Sequence, residues 1–248
     1  MSDSEKNEEE RVNQAARSVT FRVGILGIDG SGKSTLVAGL EQRFSPSCTV
    51  MSIGQRVTLH VGSEERHDLL GSLPQGAHPL RHVFRNLQRH WMLQRLPALL
   101  ERYRPDLCLE DRDGVIDVCA LVTAHIPALR FLAPQRRVRT AITLTRRSLA
   151  DMYLVLNLPA EVAEQRILEK LKQTRRPRAY HEKRHRLERV AGEYLRLRDY
   201  LAEIGVPAVT LDASLPAATV LDAAWRAIRD AGATRFQAKP RMRSSISE

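Results

Sequence analysis

Along the chain, short apolar runs alternate with stretches in which apolar residues recur at helical spacing. Thr20 to Gly27 is a compact apolar run closed by glycine, which suits a buried strand. Leu36, Val37, Leu40 and Phe44 follow at helical spacing and predict a helix from about Lys33 to Phe44. Thr49 to Ile53 reads as a second strand, stopped at Gly54. The glycine- and proline-dotted stretch 55–79 reads as a loop. Leu80 to Tyr103 turns helical, with Pro97 kinking or splitting the helix. Asp106 to Glu110 is a strand after the Arg104-Pro105 breaker, and Gly114 to His125 a helix. Met152 to Leu156 is the clearest strand, followed by a helix carrying Val162, Ile167, Leu168 and Leu171. A basic break at 173–181 precedes a long helix over about 182–204. Pro207 to Leu211 is the last strand and 216–231 the last helix.

Strands alternating with helices predict an α/β domain over 19–231, built on a five-stranded parallel sheet flanked by helices. Residues 1–18 carry charge without hydrophobic period and read as a disordered acidic tail. Residues 232–248 read as a polar, basic C-terminal tail.

Composition changes this picture little. The chain has 248 residues, 43% hydrophobic and 27% charged, as an ordinary globular protein does. It contains no apolar run long enough for a membrane helix, and its acidic start is no secretory signal. Three cysteines without metal-ligand spacing read as reduced core residues of a cytoplasmic protein. Charge says more. The net charge is +10, yet 1–18 hold five acids against three bases. Residues 128–150 hold six arginines and no acid, and 166–198 hold twelve Lys/Arg against four Glu. Concentrated arginine suits polyphosphate as well as nucleic acid, because its planar fork grips phosphate oxygens in pairs.

The chemistry lies in Gly27-Ile28-Asp29-Gly30-Ser31-Gly32-Lys33-Ser34, which fits G-x-x-x-x-G-K-[ST] between an apolar strand and an amphipathic helix. The glycines let successive N–H groups curl around an anion, and the helix points its positive end at it. Lys33 is placed to reach the β- and γ-phosphates of ATP, and Ser34 to ligate Mg²⁺. No guanine-reading N-K-x-D sequence is present, and the chain is short for a motor. A small kinase is therefore the favoured class.

With Thr35 added, this loop resembles that of the thymidylate kinases, P-loop nucleoside-monophosphate kinases. Asp111-Arg112 after a strand resembles the family's D-R pair. Asp151 to Leu156 with Pro159 and Arg166 is similar to its fourth strand and next helix, and Leu211-Asp212-Ala213-Ser214 to its last strand. The resemblance implies an adenylate-kinase-like fold with an Arg-rich lid at about 173–181. It implies an ATP cradle of Gly27, Gly30, Ser31, Gly32, Lys33, Ser34 and Thr35, with Arg166 nearby. Mg²⁺ is expected at Ser34 and Asp111, and the acceptor at Asp29, Arg56, Arg89 and Arg112. Lys33, Arg112 and Arg178 are the expected catalytic residues, and ATP-dependent conversion of dTMP to dTDP the expected activity.

The chain also departs from the family. Where a tyrosine and small residues face thymine, it has Asp113-Gly114-Val115-Ile116-Asp117. A kinase of another small acceptor is one alternative, and an ATP-binding interaction or nucleic-acid protein another. Small-molecule nucleotides are the expected partners. A homodimer stays open, nucleic acid is second choice, and no membrane partner is expected. In that family the arginine that stabilises the transferring phosphoryl oxygens stands in the P-loop or in the lid; this P-loop holds none at 28–31, so the resemblance implies that the lid supplies it. Arg178→Ala is expected to lower kcat far more than it raises the KM for ATP, with Arg175→Ala and Arg176→Ala as controls. Wild-type kcat in all three variants would remove the lid arginine from the mechanism.

Overall fold

All five predicted strands fall where their apolar runs lie in the computed structural model, which describes residues 20–54, 57–61, 65–68, 96–111, 113–174 and 182–232. β1 (Phe21–Gly27) leads through the glycine loop into α1 (Lys33–Phe44), and then come β2 (Val50–Ile53), β3 (Val57–Val61) and β4 (Glu65–Asp68). α2 (96–103) precedes β5 (Leu107–Asp111), α3 (Ile116–His125), a 3₁₀ turn (Pro127–Phe131) and α4 (Pro134–Thr145). β6 (Met152–Asn157), α5 (Ala160–Thr174), α6 (Arg184–Glu203), β7 (Ala208–Asp212) and α7 (Ala217–Ala231) complete the chain.

The sheet has seven strands in the order β4-β3-β2-β5-β1-β6-β7. Its parallel part is the predicted one: β2, β5, β1, β6 and β7. The correction lies at one edge, where β3 and β4 continue the sheet antiparallel through a stretch expected to be loop. Val57-Thr58-Leu59-His60-Val61 alternates as a half-buried strand does, and its polar side has a buried partner. Thr58 donates to Glu41 of α1 at 3.0 Å and shares a 2.6 Å hydroxyl contact with Ser52 of β2. The basic break expected over 173–181 also begins later, since α5 runs to Thr174.

The main core fills both faces of the sheet. α1 and α7 pack together on one face, and α6 covers β6, β7 and β1 on the other, with α3 and α5 against it. Met51, Ile53, Leu59 and Cys108 form a smaller cluster with Leu96 of α2. α4 is a helix that apolar periodicity does not predict. Its buried stripe is Arg137, Val138 and Ala141, and an arginine in the stripe hides the helical period. Glu193 of α6 makes that burial tolerable: its fully buried carboxylate lies 2.7 Å from Arg137 Nη1, which also donates to Thr123 at 3.0 Å.

A second buried ion group lies at the end of β5. Glu110 has no exposed surface and accepts from Arg22 Nε of β1 at 2.8 Å and from Arg147, just beyond α4. Arg22 also donates to Ser148 Oγ and Leu149 O, so one carboxylate joins two strands to the turn that leads into β6. Glu110→Ala leaves two guanidiniums near the core without their counter-charge. It is expected to cost about 3–5 kcal/mol of stability, read from urea unfolding by circular dichroism. A loss below about 1 kcal/mol would show that water replaces the carboxylate.

Candidate active site

The glycine loop closes at the C-terminal edge of the sheet, where open α/β sheets bind ligands. Gly30 takes φ 82° and Gly32 φ 93°, left-handed angles that favour glycine. Gly30 has a second constraint. A Cβ there would lie 2.7 Å from the Ala163 carbonyl, so α5 packs directly on the loop. Gly32 is the N-cap of α1, no side-chain cap bond is made there, and nothing lies within 4 Å of where its Cβ would be. The first N–H groups of α1 thus have no side-chain cap at an open helix start, the arrangement that binds phosphate.

Lys33 is buried, and its ammonium donates to the Gly27 carbonyl at 2.7 Å and the Ile28 carbonyl at 2.9 Å. These bonds hold the charge across the loop it is expected to serve. Ser34 donates its hydroxyl to Asp111 Oδ2 at 2.9 Å. The helix that begins the phosphate site and the strand that ends beside it are thus joined by the two residues expected at the metal. Among the described residues, Asp111 Oδ1 is buried with no hydrogen-bond partner. An orphaned carboxylate oxygen beside a serine hydroxyl is a hard-oxygen donor pair, and it fits Mg²⁺ held by one carboxylate, phosphate oxygens and water. No cluster of three or more His, Cys, Asp or Glu among the described residues could hold a metal alone.

Gly27, Gly30, Ser31, Gly32, Lys33, Ser34 and Thr35 come together as expected. Asp29 sits half-buried in the same loop. Arg166 is half-buried on α5 and donates to the Ala213 carbonyl at 3.2 Å. It ties α5 to the turn after β7, where Asp212 Oδ1 accepts the Ser214 N–H at 2.9 Å. The Ser214 hydroxyl and N–H hold the exposed Asp212 carboxyl below its ordinary range. The loop, α5 and the turn after β7 therefore meet at one edge of the sheet. Arg56, Arg89, Arg112 and Arg178 lie outside the described residues, as does 175–181 of the expected lid.

The segment after position 112 turns inward. Asp113, Val115 and Ile116 have no exposed surface, and Asp117 is buried against the Tyr194 hydroxyl. Asp113 Oδ2 accepts the Val115 and Ile116 N–H groups at 2.8 and 2.6 Å and so starts α3. Residues that would face thymine in the family pattern are here part of the core. The sequence signal for the buried pair Glu110 and Asp113 is a carboxylate directly after the apolar run Leu107 to Leu109 and another two residues beyond the strand.

No family profile and no curated protein sequence matches the chain. Solved structures do. A deoxyadenosine kinase from M. mycoides with dCMP and a flexible dCDP bound superposes at TM-score 0.53 and 15% identity, over 84% of this chain and 99% of that one. The same enzyme with dATP bound gives 0.53 at 14% identity, and with dCTP 0.50 at 15%, each over the same shares. The chain shares its fold with these deoxyadenosine kinases. The likeness extends across nearly the whole of those chains, so the loop, β5 and the helices around them sit in one shared architecture. At this identity it fixes the fold and leaves the acceptor open.

Burial, with Glu110 close by, pushes the Asp113 carboxyl up from 3.8 to about 6, against the pull of Arg147 and the two N–H bonds. The folded carboxyl thus holds its proton more tightly than the unfolded one. This group stabilises the fold as pH falls from about 6 toward 4, and that contribution is lost as pH rises through about 6. Compared with Asp113→Asn, the wild type is expected to gain stability over that interval. Parallel stability-pH curves for the two proteins would show that Asp113 titrates normally.

Proposed function

We propose that the chain transfers the γ-phosphoryl group of ATP to a nucleoside-based acceptor. The observation that carries the reading is the Ser34–Asp111 pair, with its orphaned carboxylate oxygen beside the glycine loop. An acceptor oxygen attacks the γ-phosphorus, the bond to the β-phosphate oxygen breaks, and ADP leaves. No protein nucleophile is required. The loop N–H groups and Lys33 bind the donor phosphates, and Ser34 and Asp111 would hold Mg²⁺. The ion supplies positive charge to the phosphate oxygens as the bond breaks.

dTMP remains the first acceptor to try, from the motif order of the loop, Asp111-Arg112 and the final Asp212-Ala213-Ser214. A phosphate acceptor is already ionised and needs no base. The inward turn of 113–117 favours a second reading. An acceptor whose base is not read by those positions fits better, and the fold likeness to deoxyadenosine kinases adds deoxynucleosides to the candidates.

The test is an ADP-release assay across nucleosides and nucleoside monophosphates, with and without Mg²⁺. At least one acceptor is expected to raise ADP production above ATP alone, and only with the metal present. Lys33→Ala is expected to lower turnover by about 10²–10³-fold. ADP release that no acceptor stimulates, or a Lys33→Ala rate within a few-fold of wild type, would defeat the proposal.

A further inference from the structure

Arg130, Arg189 and Arg196 take no part in the phosphate site described above, yet the fold brings their two segments together. α6 lies against α3 and α4, and a cavity of about 400 Å³ opens between α6 and the 3₁₀ turn. Arg130 of the turn and His185, Arg189 and Arg196 of α6 line it, and none of its lining residues belongs to the glycine loop, β5 or the turn after β7. Positions 185, 189, 192 and 196 fall on one stripe of the helix and span about 16 Å. Gly192 leaves the middle of that stripe open, with nothing within 4 Å of where a Cβ would stand.

The charge in this groove is available to a ligand. Glu193 at its floor is fully buried and already faces three arginines, at 2.7 Å from Arg137, 2.8 Å from Arg196 and 3.3 Å from Arg130. The exposed Glu188 pairs with Arg184 at 3.0 Å. Arg189 is exposed, and among the described residues no carboxylate pairs with it. Directly after Arg130 in the chain, at the end of the 3₁₀ turn, stands Phe131, 93% exposed.

We propose that this groove binds single-stranded nucleic acid. Cations strung along a helix stripe match an extended phosphodiester backbone better than a compact anion. The exposed aromatic ring at the end of the same 3₁₀ turn offers a stacking surface for an unpaired base, which an acidic peptide does not use. The net charge of +10 supplies the long-range attraction. This site stands apart from the kinase reading and does not depend on it.

The test is fluorescence anisotropy of a labelled oligo-dT of about fifteen nucleotides, titrated with the full chain. Three arginine–phosphate contacts predict about a twentyfold weakening between about 50 and about 200 mM salt. Arg189→Glu, with an unchanged melting temperature, is expected to reduce the salt slope by about a third. Phe131→Ala is expected to weaken binding about tenfold without changing that slope. Lys33→Ala is expected to bind the strand as the wild type does. No binding at the lower salt, equal affinity for a duplex, full affinity in both groove variants, or loss of binding in Lys33→Ala would each overturn the proposal.

Discussion

A carboxylate with no access to water sits between two guanidiniums at the end of β5. Glu110 faces Arg22 and Arg147 behind the sheet. Because side chains alternate along a strand, the next residue, Asp111, must face the other side. That side carries α1, and Asp111 meets the Ser34 hydroxyl there. A buried charge that loses its partners is costly, so β5 cannot slip by one residue without placing Glu110 in the wrong layer. The ion group therefore fixes the register in which the candidate metal ligand reaches the phosphate loop. It does so from the opposite face of the sheet, without touching the loop.

The same register explains the small residues around it. Gly24 of β1 lies opposite Glu110 on one side and Tyr153 of β6 on the other. A Cβ at Gly24 would stand 2.5 Å from the Tyr153 ring. The tyrosine hydroxyl accepts the Ala150 N–H at 2.9 Å, just before β6 begins. A second glycine, Gly114, leaves room for Arg147, whose Nη1 would lie 2.3 Å from a Cβ at that position. Space for bulky polar groups behind the sheet is made by removing side chains from the facing strand and turn.

What could be read from the chain was local. The strand, glycine loop and helix from Phe21 to Phe44 each impose residue requirements on adjacent positions, and all three stand where expected. The Ser34–Asp111 meeting was legible as a motif pair in an expected topology. What escaped depended on partners far along the chain. β3 is a short alternating run whose polar side is completed by Glu41 of α1. α4 buries an arginine that is acceptable only because of Glu193, 56 residues later. Glu110 directly follows an apolar run, and its two partners lie on β1 and beyond α4. In each case a charged or polar residue occupied a position that periodicity reserves for an apolar one.

Those buried arginines also alter what the net charge means. Of the six arginines in 128–150, Arg137 and Arg147 are buried against Glu193 and Glu110. Arg22 likewise serves Glu110 from β1. They belong to the fold and offer little to an outside anion. The attraction that remains near α4 and α6 comes from exposed residues such as Arg136, Arg139 and Arg189, and from heads that reach the surface beside Glu193. Arg130 and Arg196 do both, since each closes an ion pair at its inner side and lines the groove at its outer side. A polyanion bound there would share arginines with a carboxylate that is already neutralised, so its binding need not break an ion pair. The basic excess read from the sequence thus divides into a structural part, which holds α4 and β5 in place, and a surface part shared by α4, the 3₁₀ turn and α6.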